Sequence, residues 1–124
     1  MSRLLVDTHI ALWSLGDRSR LSAREAGLLT DPHNHHWISP VSVWEAVIKR
    51  RSGKLDAPVN LAAELAADYP FLEVDAALLE AAAELPLHHR DPFDRVLIAH
   101  ALRDDLEILT RDAIFESYGL KLAV

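Results

Sequence analysis

Short apolar runs alternate with longer amphipathic stretches from one end of the chain to the other. Leu4-Leu5-Val6 is an unbroken apolar run closed by Asp7, the pattern of a strand buried on both faces. Residues 10–15 read as a helix that Gly16-Asp17 stops. Ser22 caps a second helical stretch reaching residue 29, with Glu25 at the reciprocal position of a capping box. Asp31-Pro32-His33-Asn34 then turns the chain. Trp37-Ile38-Ser39 predicts a second strand, and residues 42–51 a helix ended by Ser52-Gly53. Beyond the polar break Asp56-Ala57-Pro58, residues 61–68 are helical. Phe71-Leu72-Glu73-Val74 predicts a third strand, and residues 76–85 an Ala-rich helix that Pro86 ends. Asp91-Pro92 opens a helix to about residue 103, and residues 107–110 form a fourth strand. A short helical turn over 113–116 precedes Gly119 and a last strand over 120–123.

Strands that alternate with helices imply a mainly parallel sheet of about five strands, covered by helices on both faces as a three-layer α/β/α fold. No repeat, linker or low-complexity segment interrupts residues 1–124, which fit one domain. In such sheets ligands bind beyond the carboxyl ends of the strands. Asp7 follows the first strand directly and Asp112 comes two residues after Thr110, at the end of the fourth. These acids meet if their strands are neighbours.

Composition narrows the chemistry. Half of the residues are apolar, so a disordered chain is excluded, and without cysteine neither a disulfide framework nor a Cys-zinc site is available. Charge arrives at Asp7, too early for a signal-peptide apolar region. No apolar run approaches the ~18 residues needed to cross a bilayer, so a cytoplasmic location with no membrane partner is expected. The net charge of −6 speaks against a nucleic-acid partner. A carboxylate cluster that takes up divalent cations loses much of that charge, however. Lys49, Arg50, Arg51 and Lys54 are also grouped. The run suits either the dipole at a helix end or a patch that contacts phosphates.

Each acid has an ordinary explanation beside a chemical one. Asp7 can cap the helix that follows it. Ser42-Val43-Trp44-Glu45 is a formal capping box, yet the apolar neighbours of Glu45 place its carboxylate close to a buried face. Asp91 is a helix cap, Asp94 gains from the same helix dipole, and Asp112 can cap the turn behind it. Only Glu45, with Lys49, has a basic partner at routine helical spacing. Four acids at element starts suit hard divalent ions, and such ions can orient water and stabilise charge in phosphodiester cleavage. Crowded without metal, they should raise the pKa of at least one of their number. The loop histidines His33, His35 and His36 lack evident partner ligands, and His88-His89 reads as a polar loop within reach of a substrate. No Gly-x-Ser-x-Gly elbow, phosphate-binding Gly-rich loop or dinucleotide fingerprint is present.

Four stretches together are distinctive: Leu5-Val6-Asp7-Thr8-His9, Ser39-Pro40-Val41-Ser42-Val43-Trp44-Glu45, His89-Arg90-Asp91-Pro92-Phe93-Asp94-Arg95-Val96-Leu97-Ile98-Ala99, and Leu109-Thr110-Arg111-Asp112. Their order and spacing resemble the PIN domain family, and within it the VapC-like toxins of bacterial toxin–antitoxin pairs. The resemblance implies a five-stranded parallel sheet and Mg²⁺- or Mn²⁺-dependent endoribonuclease activity on RNA. It also implies homodimers and inhibition by a cognate antitoxin. By position, Asp7, Glu45, Asp94 and Asp112 carry over as the acidic, metal-holding set, and Thr110 as a hydroxyl that positions a ligand or water. Asp91 has no place in the general pattern, although Asp-Pro-Phe-Asp-Arg is typical of one branch. Pro40 stands where a small residue is expected, a departure that bears on the start of its helix. Trp13, Trp44 and the apolar positions around Leu12 and Val47 exceed what a small core needs, in line with a symmetric pair. Two rivals remain: a catalytically silent RNA- or protein-binding module, and a structure-specific DNA nuclease.

Overall fold

The computed structural model describes residues 1–123. Three strands, β1 (Arg3–Val6), β2 (His35–Trp37) and β3 (Glu107–Leu109), form a parallel sheet in the order β2-β1-β3. The predicted strands at 71–74 and 120–123 each shrink to one parallel bridge, Ile38 with Phe71 on one edge and Ile108 with Leu122 on the other. The five segments keep the expected parallel arrangement, but the outer two pair on one side only. The first of them runs at once into Asp75, the cap of the next helix, whose side chain accepts from the Leu78 N–H at 2.8 Å.

Six helices cover the sheet: α1 (Thr8–Leu15), α2 (Ala23–Thr30), α3 (Pro40–Arg51), α4 (Leu61–Asp68), α5 (Ala76–Glu84) and α6 (Pro92–Asp104). Two 3-10 turns, Arg18–Arg20 and Ala113–Tyr118, complete the described elements. The capping box before α2 forms, with the Glu25 N–H donating to Ser22 Oγ at 3.0 Å and the Ser22 N–H to Glu25 Oε1 at 2.7 Å. The one expected for α3 does not. Ser39 caps α3, accepting from the Val41 N–H at 3.2 Å, and Pro40 fills the first helical position, where its missing N–H and fixed φ do no harm. The chain must therefore leave the sheet after Ile38, so β2 lies two residues earlier than predicted. Glu45 consequently sits in the middle of α3, and capping no longer explains it.

Two apolar clusters fill the space between the layers. Leu4 and Val6 face one, with Ile10 of α1 and Leu61 and Leu65 of α4. Leu5 faces the other, with Leu97, Ile98 and Phe115. Beyond exposed Arg3, the β1 side chains Leu4, Leu5 and Val6 are fully buried, as a parallel strand covered on both faces requires. Truncating any of them to Ala would cost about 2–5 kcal/mol through the lost transfer and the cavity left behind. The register pairs Val6 with Leu109, which brings Asp7 and Thr110 off adjacent strand ends side by side.

Candidate functional site

Asp7 leaves β1 in an extended conformation and caps α1. Its backbone N–H donates to the Leu109 carbonyl at 3.0 Å, so the end of β1 is fastened to the end of β3. Its carboxylate accepts from the Thr110 hydroxyl at 2.5 Å and from the His9 N–H at 3.4 Å. Burial pushes the Asp7 carboxyl up, the Thr110 and His9 contacts oppose that, and the nearby Glu45 charge adds to it. Thr110 is fully buried, and its oxygen also accepts from the Asp112 N–H at 3.1 Å. One hydroxyl thus ties together two of the sequence-predicted acids.

Glu45 reaches the same place from α3. It is buried, with Oε1 2.9 Å from the Thr8 hydroxyl, which also touches Ser42 Oγ at 2.8 Å, and with Oε2 accepting from Lys49 Nζ at 2.6 Å. Asp94 arrives from the first turn of α6, where its N–H donates to the Asp91 cap at 3.0 Å. Its carboxyl is pushed up to about 6, first by burial; the His89 hydrogen bond pulls the other way, and the charges of Asp91, Asp7 and Glu45 add to the rise. Asp112 is exposed and caps the last 3-10 turn through the Ile114 N–H at 3.1 Å. His89, Asp94 and Asp112 bring ligand atoms within 4.8 Å of one another. Asp112 therefore lies beside Asp94, and Asp7 and Glu45 stand near enough for their charges to raise it, although among the described residues they complete no ligand group of that span.

The predicted basic run does not act as one patch. Lys49 turns into the acidic pocket, where the Glu45 bond and the charges of Asp91 and Asp94 hold its pKa up. Arg50 turns away and donates to the Pro58 carbonyl at 2.7 Å. With Lys54, Trp13 and Arg20 it lines a separate cleft of about 730 Å³. Arg51 and Lys54 are exposed. The aromatic surface is likewise divided. Leu12 is buried, Val47 packs on the core, and Trp13 lies beneath Arg111 and Arg20 at 4.6 and 5.8 Å. Trp44 alone of these stays open, 62 % exposed and edge-on to Phe93 at 5.1 Å. Of the three histidines read as a loop, His33 is held by Asp31 in the turn, whereas His35 and His36 belong to β2, His36 with its ring nitrogen 3.1 Å from the Leu28 carbonyl.

Three residues have roles here that sequence reasoning did not assign. Thr8 orients Glu45. Glu25, read only as a capping residue, also takes a two-bond grip from Arg111 at 2.6 and 2.7 Å, which outweighs the opposing effect of burial and holds its carboxyl down at about 2. That grip fixes the residue between Thr110 and Asp112. His89 donates to or accepts from Asp94 Oδ2 at 2.6 Å, depending on its tautomer and the carboxyl's protonation. Its only sequence signal is a place two residues ahead of the α6 cap.

A divalent cation fits this donor set. The oxygens are hard ligands, and two of the carboxyls are raised despite the hydrogen bonds from Thr110 and His89 and the charge of His9 that pull the other way. Asp7, Glu45, Asp94 and Asp112 are the residues that would hold it.

Comparison with known proteins bears on the fold and the family. No curated protein matches the chain. Among solved structures it is similar to VapBC2 from Rickettsia felis bound to a DNA fragment from their promoter, with TM-score 0.67, 14 % identity, and coverage of 97 % of this chain and 96 % of that one. It is similar to FitAcB from Neisseria gonorrhoeae, with TM-score 0.57, 16 % identity, and coverage of 96 % and 95 %. FitAB bound to the IR36 DNA fragment matches with TM-score 0.60, 15 % identity, and coverage of 96 % and 92 %. At these identities the likeness speaks for the fold. The PIN domain model matches residues 4–121, and the chain belongs to the PIN domain family.

Proposed function

We propose that this chain is a divalent-metal-dependent endoribonuclease that cleaves single-stranded RNA in the cytoplasm as the toxin of a toxin–antitoxin pair. The carrying observation is the meeting of the Asp7, Glu45 and Asp94 charges at the strand ends, with Asp112 beside Asp94. PIN domains are generally nucleases that use divalent metals, which supports the same reading. A bound Mg²⁺ or Mn²⁺ ion supplies Lewis acidity towards a phosphoryl oxygen and an activated water. Thr110 fixes the Asp7 carboxylate and Thr8 that of Glu45, so both present their free lone pairs to the pocket in set directions. Lys49, whose ammonium lies against Glu45 at 2.6 Å, would stand beside a metal held there and could meet a phosphate. Exposed Arg51 and Lys54 are the next cations along the helix end, and Arg50 serves the fold instead.

The similarity to VapBC2 and FitAB supports an antitoxin as partner. The open Trp44–Phe93 surface supports a homodimer. Light scattering at micromolar concentration should give twice the chain mass, and a monomer would refute the dimer. The nuclease reading is tested with Asp94→Asn, purified free of contaminating nuclease. It should lose RNA cleavage in Mg²⁺ and in Mn²⁺ yet bind RNA as well as the parent or better, because one negative charge is gone. Cleavage at the parental rate would end the proposal, and a parent that cuts DNA but not RNA under the same conditions would move it to the DNA nucleases. A parent that binds RNA and cuts neither would be the silent module.

A further inference from the structure

His89 stands apart from the acidic set that the sequence marks out, yet it completes the one group of three potential ligands that the described residues bring together: His89, Asp94 and Asp112, with ligand atoms within 4.8 Å. Its position is built. The His89 N–H donates to the Tyr118 hydroxyl at 2.9 Å, and the same hydroxyl donates to the Pro86 carbonyl at 2.5 Å. The His89 carbonyl accepts from Arg95 at 3.0 Å, and buried Arg95 also holds the carbonyls of Ala83, Leu85 and Pro86. The ring stands edge-on to Phe115, with centroids 6.4 Å apart. A side chain on the loop between α5 and α6 is thereby pinned from both sides, with Nε2 directed at Asp94.

We propose that His89 is a direct nitrogen ligand of the divalent ion, so that the site has two halves sharing Asp94: an all-oxygen half with Asp7 and Glu45, and a mixed half with His89 and Asp112. The inference rests on the metal-dependent reading above and adds a metal preference to it. Ligands about 2.1 Å from one ion stand at most about 4.2 Å apart. The 4.8 Å span of the group closes with a small rotation of the exposed Asp112. Asp112 has no lysine or arginine within ion-pair distance among the described residues, so nothing cationic has to be displaced from it. Imidazole suits first-row transition ions such as Fe²⁺, Ni²⁺ and Zn²⁺; Mn²⁺ shares the oxygen preference of Mg²⁺ but, as a softer first-row ion, accepts a nitrogen ligand more readily than Mg²⁺ does. The mixed half therefore selects transition-metal ions over Mg²⁺. A histidine that only orients Asp94 by a hydrogen bond would support every cation alike.

The test reads binding, not turnover. Protein stripped with chelator is titrated with Mn²⁺ and, separately, with Mg²⁺ by calorimetry, and the Mn²⁺ form is examined by pulsed paramagnetic resonance for coupling to ¹⁴N. The parent should show imidazole nitrogen coupled to Mn²⁺. His89→Gln should lose the coupling and weaken Mn²⁺ binding by about 10- to 100-fold, the range seen when a metal's immediate surroundings are altered, with Mg²⁺ binding almost unchanged. His88→Gln should behave as the parent. Parent protein that binds Mn²⁺ without nitrogen coupling overturns the assignment while leaving the acidic metal site intact. So does a His89→Gln variant that loses Mn²⁺ and Mg²⁺ affinity equally. Parent protein that binds neither ion overturns the metal-dependent reading itself. The spectrum of the parent decides even if the variant folds poorly.

Discussion

Replacing Asp94 with Asn should stabilise the metal-free protein at neutral pH, because the fold holds this carboxyl against its preference. Burial and the charges of Asp91, Asp7 and Glu45 carry it from 3.8 to about 6. Between those values the folded state keeps a proton that the unfolded state has released. Stability therefore falls as pH rises through that window, and above about pH 6 the whole cost is present. At 1.36 kcal/mol per pH unit the cost is about 3 kcal/mol at its limit, and less once side-chain relaxation is allowed. For a chain of this length each kcal/mol moves the melting temperature by roughly 3–4 °C. Asp94→Asn should then melt about 5–10 °C above the parent in chelator at pH 7.5, and the gap should close near pH 4, where the parent's carboxyl is protonated as well. Added Mn²⁺ should reverse the order, since an ion at 100 times its Kd stabilises the parent by about 2.7 kcal/mol and the variant hardly at all. A variant that melts at or below the parent in chelator at pH 7.5 would refute the claim that the fold holds the Asp94 carboxyl against its preference.

Glu25→Gln should lower the urea midpoint at neutral pH: the carboxyl is held from 4.5 down to about 2, a contribution of up to about 3 kcal/mol, reduced by screening at half-exposed Arg111, present above pH 4.5 and lost as pH falls towards 2. An unchanged midpoint would show that the Arg111 grip adds nothing. His100, fully buried with Nε2 against Ser39 and Nδ1 without a partner, is pushed down to about 4, chiefly by burial. It should stay neutral in NMR titrations until the pH nears 4, and the stability it carries above pH 6.5 should drain away as pH falls from there; a midpoint above 6 would contradict the burial. Arg50→Ala should destabilise the fold by about 1–2 kcal/mol through the lost Pro58 bond, whereas Arg51→Ala should leave stability within about 0.5 kcal/mol and flatten the salt dependence of RNA binding. The reverse pattern in melting and filter-binding assays would exchange their roles.

The interior of the sheet and its helices were legible because Leu4-Leu5-Val6 and the caps Asp7, Ser22 and Asp91 carry local chemistry that tertiary packing did not override. The outer strands were less so: an apolar run such as Phe71 to Val74 looks the same whether it pairs along its length or at one residue, and the neighbouring chain decides. At α3 two local rules competed. The Ser42–Glu45 spacing suggested a cap, but proline at the first helical position with Ser39 before it was the stronger constraint, and this moved Glu45 from a helix end to a buried middle turn. The nearness of Asp7 to Thr110 and Asp112 was readable as soon as the first and fourth strands were taken as neighbours. The division of the basic run was not, because successive residues of a helix point about 100° apart and only the packed fold tells which direction holds the pocket. Thr8, the Glu25–Arg111 pair and His89 all depend on contacts between distant segments, for which the sequence offers no spacing rule.

The Arg95 fork holds four main-chain oxygens and no side chain of the loop it braces. Its target is therefore the path of the backbone, whatever residues travel along it. Pro86, Leu87, His88 and Arg90 all face solvent, so substitutions there can alter what the rim of the pocket presents to a substrate without redrawing its outline. Lysine at position 95 could not keep this arrangement, since a single ammonium lacks the planar spread of donors that spans the turn. The arginine acts as a mould, and the rim it shapes is open to change in recognition while the acids beneath stay in register.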